Sequence, residues 1–488
     1  MSAQQSPLFS SFTLGKVEFK NRMLRSSIGG RTAYYDGTVN DAWETFERRF
    51  ASGGVAGIIS ATLTVDDKRW SPLEYPAISH DRFIRPLAEK IDRLRERYNC
   101  RYIIQVGDPG YATQTSLFRQ NADSLTATSG HDPLYGYTSW RREMPVAEIK
   151  RVIKNFRQAA RRVKCTGCDG IELTASKGYL IHQFLNPGTN RRTDEYGGSL
   201  EERCKLLGEV VEAIRTEVGD GFLFGIRLSS RDNNRRPWPE ILRFGPGLRP
   251  SALTVGNNLD DMLKVGEWLE RLGVNYLHIS SGFGFINPSE NPGRFPTHEV
   301  KMFADSTRPL SFKAKVRSTV LHLAPEIISD FLLNFGWKTP DDNGFNMLTN
   351  LDDARAFKRR LRIPIIVNGG FQRREHFEKA LGPEYGCDMV SMARPLLANP
   401  NLPRLLEAGI ALKLERECTF CNRCAVLTTL LPLGCYDRTR FQRGRHGRQR
   451  CKQEIEESIE RQIEKYNRPR QHRLRPCPPK PPKAPNSP

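Results

Sequence analysis

DGIELTASKGYLIHQFLNPGTNRRTDEYGGSLEERC, residues 169–204, is the stretch that decides the architecture. Gly170–Leu173 has the pattern of a short buried strand and leads into an irregular polar loop. After Ser199 a helical pattern begins, with Leu200, Leu206, Leu207 and Val210 as its apolar positions. Strand, loop and helix make one βα unit, and in barrels of such units the chemistry sits on the loop after the strand. That loop carries Thr174, Lys177 and Tyr179 within six residues, with Gly178 to let the backbone turn. Thr174 and Lys177 are donors and Tyr179 can release a proton, a set suited to polarising a substrate oxygen and protonating a carbon.

Further units follow the same grammar in both directions. Residues 9–20, FSSFTLGKVEFK, read as a hairpin turning at Gly15 that closes the bottom of a barrel. Strands are expected at 21–28, 57–61, 102–105, 170–173, 221–229, 274–280, 363–370 (with its glycine turn) and 389–395. Helices are expected at Asp41–Ser52, Asp81–Tyr98, Val146–Lys164, after Ser199, and at Leu259–Leu272. Residues 111–142 form a polar loop without periodicity, and 231–256 is an Arg/Pro/Gly-rich insertion. A long excursion, 282–349, holds an apolar helical run from Val316 to Leu333 interrupted by Pro325, and reads as a lid or an oligomer contact. Arg227 ends an apolar strand, where burial is expensive unless an anionic or electron-rich group meets it.

GYLIHQFLNP followed by NRRTDEYGGSLEER strongly resembles the old yellow enzyme family of FMN-dependent reductases, and the likeness covers roughly residues 7 to 437. The resemblance implies a (β/α)8 TIM barrel that binds FMN, takes hydride from NADH or NADPH, and reduces an activated alkene such as an enone or enoyl thioester. By the same resemblance Tyr179 matches the family's proton donor. Lys177 and Thr174 stand where the family usually has a His/Asn or His/His pair holding the substrate oxygen. A cationic lysine there favours an anionic oxygen, so a carboxylate-bearing substrate or a discrete enolate is expected. The flavin contacts implied are Ser26, Ser27 and Ile28 after the first strand, Ala61 after the second, Gln105 on the third, and Arg227 at the N1–O2 edge of the ring. Asn368, Gly369 and Gly370, with Ala393 and Arg394 in MARPLLANP, match the phosphate-binding residues. Asp108 replaces a usual histidine.

Cys418, Cys421, Cys424 and Cys435 give C-x2-C-x2-C-x10-C just past the barrel. Such a spacing suits a [4Fe-4S] cluster, and zinc accepts four thiolates too, although its usual spacing is two separated pairs. The arrangement resembles the iron–sulfur site of the dienoyl-CoA reductase branch of the family, whose members continue into an FAD/NAD-binding module. No GxGxxG strand–turn–helix follows residue 440, so that module is expected to be missing here. A second functional class is therefore an electron-transfer subunit fed by a partner protein. Cys165-x-x-Cys168 reads as two packed thiols.

The chain has 488 residues, 11 cysteines and a net charge of +20. An odd cysteine count, no signal peptide and no membrane-length apolar run lead to an expectation of a reducing, cytoplasmic location. From residue 441 onward there are 13 Lys/Arg against 5 Glu in a Pro-rich composition, which reads as a disordered basic tail. It lacks interleaved aromatics and the cysteine cluster lacks a histidine, so nucleic-acid binding is disfavoured. The expected organisation is a barrel over 1–415, a cysteine extension over 416–440 and the tail over 441–488, with a homo-oligomer left open.

Overall fold

The computed structural model describes residues 6–69, 74–112, 125–131, 140–233, 255–283, 293, 296–310, 312–334, 347–410, 417–428 and 431–437. Most of the 231–256 insertion and the whole basic tail lie outside the described residues. Met1–Asp437 forms one compact unit, in which the cysteine segment is included.

Eight parallel strands close on themselves: β1 (Met23–Arg25), β2 (Gly57–Ile59), β3 (Arg101–Gly107), β4 (Gly170–Ala175), β5 (Leu223–Ser229), β6 (Tyr276–Ser280), β7 (Ile365–Val367) and β8 (Met389–Met392). Each pairs with the next, and β8 returns to β1, which makes the TIM barrel expected from the βα pattern. Alternation along the strands separates two cores. One set of side chains, among them Ile104, Val106, Ile171, Leu173, Phe224, Ile226, Leu277, Ile279 and Val390, packs outward against the helices. The other set points into the barrel.

The lower interior is apolar. Strands Phe12–Leu14 and Val17–Phe19 pair antiparallel around Gly15, whose φ is +57°. The hairpin presses Leu14 and Phe19 against Leu24, Ile59, Ile103, Leu223, Tyr276, Ile366 and Met389, all buried. Complete burial of one such side chain contributes about 2–3 kcal/mol, so the hairpin is a structural plug. Gly225 is required at this level for space: a Cβ there would lie 2.0 Å from the Tyr276 ring.

The helices expected from sequence periodicity are present, and Leu351–Arg360 and Arg374–Leu381 add to them. Asn40 caps Asp41–Ser52, and Ser199 with Glu202 makes a reciprocal capping box on Leu200–Val218. Two departures stand out. Leu180–Leu185, inside the stretch read as an irregular loop, is a short helix buried on every side, so it lacks the polar face that would mark it in sequence. The 111–142 segment carries three strands of two to four residues, Leu125–Thr126, Gly130–His131 and Trp140–Glu143, too short to show a period. In the long excursion, helices Thr297–Thr307, Phe312–Leu323 and Glu326–Asn334 are present, the last two parted at Pro325. Val316, Val320, Leu323, Ile327, Ile328 and Phe331 are exposed on them. Cys168 is buried with its thiol against the Val163 and Gly170 carbonyls, whereas Cys165 is exposed, so only one of that pair is packed.

Candidate active site

Above the apolar plug the barrel interior turns polar. Gln105 on β3 and Glu172 on β4 are register partners, and Gln105 Nε2 donates to Glu172 Oε1 at 2.7 Å. Glu172 Oε2 receives the Tyr276 hydroxyl and His278 Nδ1, each at 3.1 Å. An ionised carboxylate only accepts, so His278 carries its proton on Nδ1, leaving Nε2 to accept from Ser391 Oγ at 2.7 Å. Asn368 Nδ2 lies 3.3 Å from the same Nε2. Burial pushes the Glu172 carboxyl up, but His278, Arg227 and Gln105 together outweigh it and hold it below the usual carboxylate range. Burial lowers His278 against the pull of Glu172, so the imidazole is neutral.

The next layer up is the barrel mouth. Ser27 Oγ donates to Gln105 Oε1 at 2.8 Å, and Thr62 Oγ1 donates to the same oxygen. Ser26 and Ala61 are buried at the ends of β1 and β2, while Ile28 is half-buried. The Ser26–Ile28 turn is shaped by Arg25, whose guanidinium bonds the Ser26, Ile28 and Ile59 carbonyls and pairs with Glu47. Arg227 faces Thr174 on β4 and His278 on β6 across the sheet. Its Nε is buried with no hydrogen-bond partner among the described residues, and burial lowers its pKa while Glu172 and Tyr179 oppose. Among the described residues Ser176 Oγ and Thr349 Oγ1 are buried without partners as well. Thr349 abuts Gly369, where a Cβ would stand 2.8 Å from that hydroxyl; Gly369 and Gly370 have φ of +129° and +90°, which favour glycine. Unmet donors at the flavin-edge and phosphate positions are what an anionic, acceptor-rich cofactor such as FMN would satisfy. Ala393 precedes the short helix Arg394–Ala398, and Arg394 bonds Asn422 and lies 5.1 Å over the Phe420 ring.

The three candidate catalytic side chains stand at this mouth in different ways. Thr174 is buried, with its methyl packed where a Cβ on Gly107 would clash at 2.5 Å. Lys177 has φ of +56°, costly for a residue with a Cβ, and its ammonium reaches the Ser281 carbonyl on the loop after β6. Tyr179 is half-buried, hydrogen-bonded to Thr62 and close to Arg227. Burial raises its pKa above the usual phenol value, with Thr62 and Arg227 opposing, so the hydroxyl stays protonated near neutrality.

Asp108 does not face the mouth. It holds Arg69 through contacts of 3.0, 3.0 and 2.7 Å, and Arg69 is further paired with Asp66 at 2.9 Å and Glu148 at 3.0 Å. The substitution at that position is thus absorbed by a buried arginine. Sequence reasoning missed Thr62, Glu172, His278 and Tyr75; the Tyr75 ring lies over Gly29, where a Cβ would stand 1.9 Å from it, and it interacts electrostatically with Tyr179. The polar residues Glu172 and His278 inside apolar strands were the available signal.

Cys418, Cys421, Cys424 and Cys435 line one cavity together with Arg394, Phe420, Asn422, Tyr436 and Asp437. Among the described residues no group of three or more His, Cys, Asp or Glu stands close enough to hold a single metal ion. Burial pushes the Cys418 and Cys424 thiols up to about 12, with Arg394 opposing. The segment is fastened to the mouth: Gln372 brackets the Cys418 backbone at 2.9 and 3.3 Å, Arg373 pairs with Glu417 at 2.9 Å, and Leu433 N–H meets the Gly30 carbonyl at 3.0 Å. The cysteines therefore sit on the barrel face that carries the loops after β1, β7 and β8.

The sequence profile of the NADH:flavin oxidoreductase / NADH oxidase family matches residues 7–237. The NADPH dehydrogenase of Geobacillus sp. (strain WCH70) is 31% identical over 281 residues, 57% of this chain and 74% of that protein. The NADH oxidase of Thermoanaerobacter brockii is 25% identical over 417 residues, 85% of this chain but 52% of that protein, so the chain spans about half of that relative. The solved structure of the old yellow enzyme homologue from Zymomonas mobilis shares the fold with a TM-score of 0.60 at 17% identity, covering 90% of this chain and 98% of that one. No described helix is long and apolar enough to cross a membrane.

Proposed function

Given that the chain belongs to the NADH:flavin oxidoreductase / NADH oxidase family, that of the old yellow enzymes, we propose that it is an FMN-dependent NAD(P)H oxidoreductase that reduces an activated alkene, an enone or enoyl thioester. The observation that carries this reading is the proximity of a protonated Tyr179 to Arg227, whose buried Nε lacks a partner among the described residues. When bound, FMN would supply hydride chemistry, passing hydride from NADH or NADPH to the alkene β-carbon. Ser27, Gln105 and Arg227 would hold its ring edge, and the Asn368–Gly370 and Ala393–Arg394 loops would hold its phosphate. Tyr179 gives its hydroxyl proton to the α-carbon as general acid, and Arg227 steadies the resulting phenolate. Thr174 and Lys177 hold the substrate oxygen, with the Lys177 ammonium steadied by the Ser281 carbonyl. Purified protein reconstituted with FMN tests the reading: it should consume NADH or NADPH in step with an enone such as 2-cyclohexenone. Failure to retain FMN, or reduction of FMN without any alkene turnover, rejects it.

A second reading, an iron–sulfur flavoprotein subunit that receives electrons from a partner protein, is favoured by the cavity lined by four cysteines beside the phosphate loops. The thiolates of Cys418, Cys421, Cys424 and Cys435 would hold a [4Fe-4S] cluster, whose role is one-electron transfer. Iron and sulfide content after anaerobic purification tests it, with Cys418→Ser as control. Full turnover with NAD(P)H alone, unchanged by Cys418→Ser, rejects the partner requirement.

A further inference from the structure

Below the Tyr179 turn lies a buried pair that the mechanism above does not use. His182 Nε2 and Asp232 Oδ1 are 2.6 Å apart, and both residues are 0% exposed. His182 Nδ1 lies 3.1 Å from the backbone N–H of Gly178 and accepts it. The imidazole proton is therefore on Nε2, pointing at the carboxylate. Asp232 Oδ2 receives Asn186 Nδ2 at 2.9 Å and the Asn257 N–H at 2.7 Å. The Asp232 carbonyl takes the Phe283 N–H at 2.8 Å, and the Phe283 ring packs 4.8 Å from the imidazole. The pair thus joins the loops after β4, β5 and β6.

Gly178 stands between Lys177 and Tyr179, in a turn where Lys177 and Gly178 have φ of +56° and +79°. A left-handed residue bearing a Cβ costs about 1–2 kcal/mol, so the turn persists only if its surroundings hold it. Gln183 Nε2 holds the Gly178 carbonyl at 2.7 Å, and among the described residues His182 is the group that accepts its N–H.

We propose that His182 and Asp232 are positioning residues for the Lys177–Tyr179 turn, with Asp232 selecting the tautomer that lets His182 accept from Gly178. The claim rests on Tyr179 being the proton donor of the proposed reaction. Donor and acceptor counting makes it specific. In Asp232→Asn, turning the amide oxygen to His182 would set the amide N–H2 against two donors, Asn186 and the Asn257 N–H. The opposite orientation leaves one conflict: the amide donates to His182 Nε2, the imidazole proton moves to Nδ1, and that proton faces the Gly178 N–H. The turn then loses its hold while the fold and the flavin contacts stay.

The test compares wild type, Asp232→Asn, Tyr179→Phe and the double variant, each full-length and FMN-loaded. FMN reduction by NAD(P)H and reoxidation by 2-cyclohexenone are followed separately, with hydrogen exchange of the peptide spanning 176–182. Asp232→Asn should slow reoxidation by about 10- to 100-fold, leave FMN content and reduction unchanged, and quicken exchange at Gly178 and Tyr179. It should add nothing in the Tyr179→Phe background. Additive slowing, or unchanged exchange, overturns the proposal. Should Tyr179→Phe itself reoxidise at the wild-type rate, the proton-donor reading fails and the exchange data decide the positioning claim alone. His182→Phe, which keeps a ring against Phe283, is expected to show the same pattern and serves if Asp232→Asn does not fold.

Discussion

Gln105 and Glu172, opposite one another on adjacent parallel strands, share a 2.7 Å hydrogen bond at the centre of the barrel. Through it a buried carboxylate, also held by Tyr276 and His278, supports the side chain assigned to the flavin. Fully desolvated charges survive only when donors surround them. Here the donors come from β3 and β6, so the flavin platform and the barrel's closure are one network.

Glu172 should make stability pH-dependent on the acid side. Its folded pKa lies below the ordinary value of 4.5, so its contribution is complete above that value and is lost as pH falls through the folded pKa. Thermal melts should show wild type losing stability below pH 4.5 more steeply than Glu172→Gln. At neutral pH the variant should be less stable by about 2–4 kcal/mol, since it removes a charge that three donors were arranged to meet. Identical acid limbs in the two proteins would refute the assignment.

Tyr179→Phe should slow alkene-dependent reoxidation by about 10²–10⁴-fold while FMN reduction proceeds unchanged. In wild type the raised pKa keeps the proton in place, so the alkaline limb of reoxidation should lie above pH 10, the usual phenol value. Stopped-flow rates across pH measure both. A limb near neutrality would point to a different acid.

Lys177→Ala should discriminate between substrates. An ammonium stabilises anionic oxygen more than neutral carbonyl, so KM for carboxylate-bearing enones should rise by about 10-fold, with a smaller change for neutral ones. Equal KM and kcat for both classes in variant and wild type would remove Lys177 from the substrate site.

Asp108→His should cost stability and bring no gain in activity. Arg69 is fully buried, and loss of its closest carboxylate leaves its charge to Asp66 and Glu148. A loss of about 2–4 kcal/mol is expected in chemical denaturation. A variant as stable as wild type, with altered substrate preference, would place Asp108 at the mouth after all.

What the sequence determined by itself is local. Buried-strand and helical patterns, the helix start after Ser199, the Gly15 turn and polar residues closing apolar strands concern neighbours within a few positions, and the eight-fold barrel follows from their repetition. Family likeness then placed Ser27, Gln105, Arg227 and Tyr179 at one end of it. Only the tertiary structure decided what those residues lean on. Glu172 meets His278, Arg69 meets Asp108, and His182 meets Asp232, at separations of 106, 39 and 50 residues. A lone polar residue in an apolar run looks the same whether it is solvated, mispaired or matched, because its partner lies on another strand. The cysteine segment likewise follows the last strand in sequence but lies on the catalytic face, since Gln372, Arg373 and Arg394 fasten it there. Closing the barrel brings these groups together, and desolvation then makes each pairing obligatory.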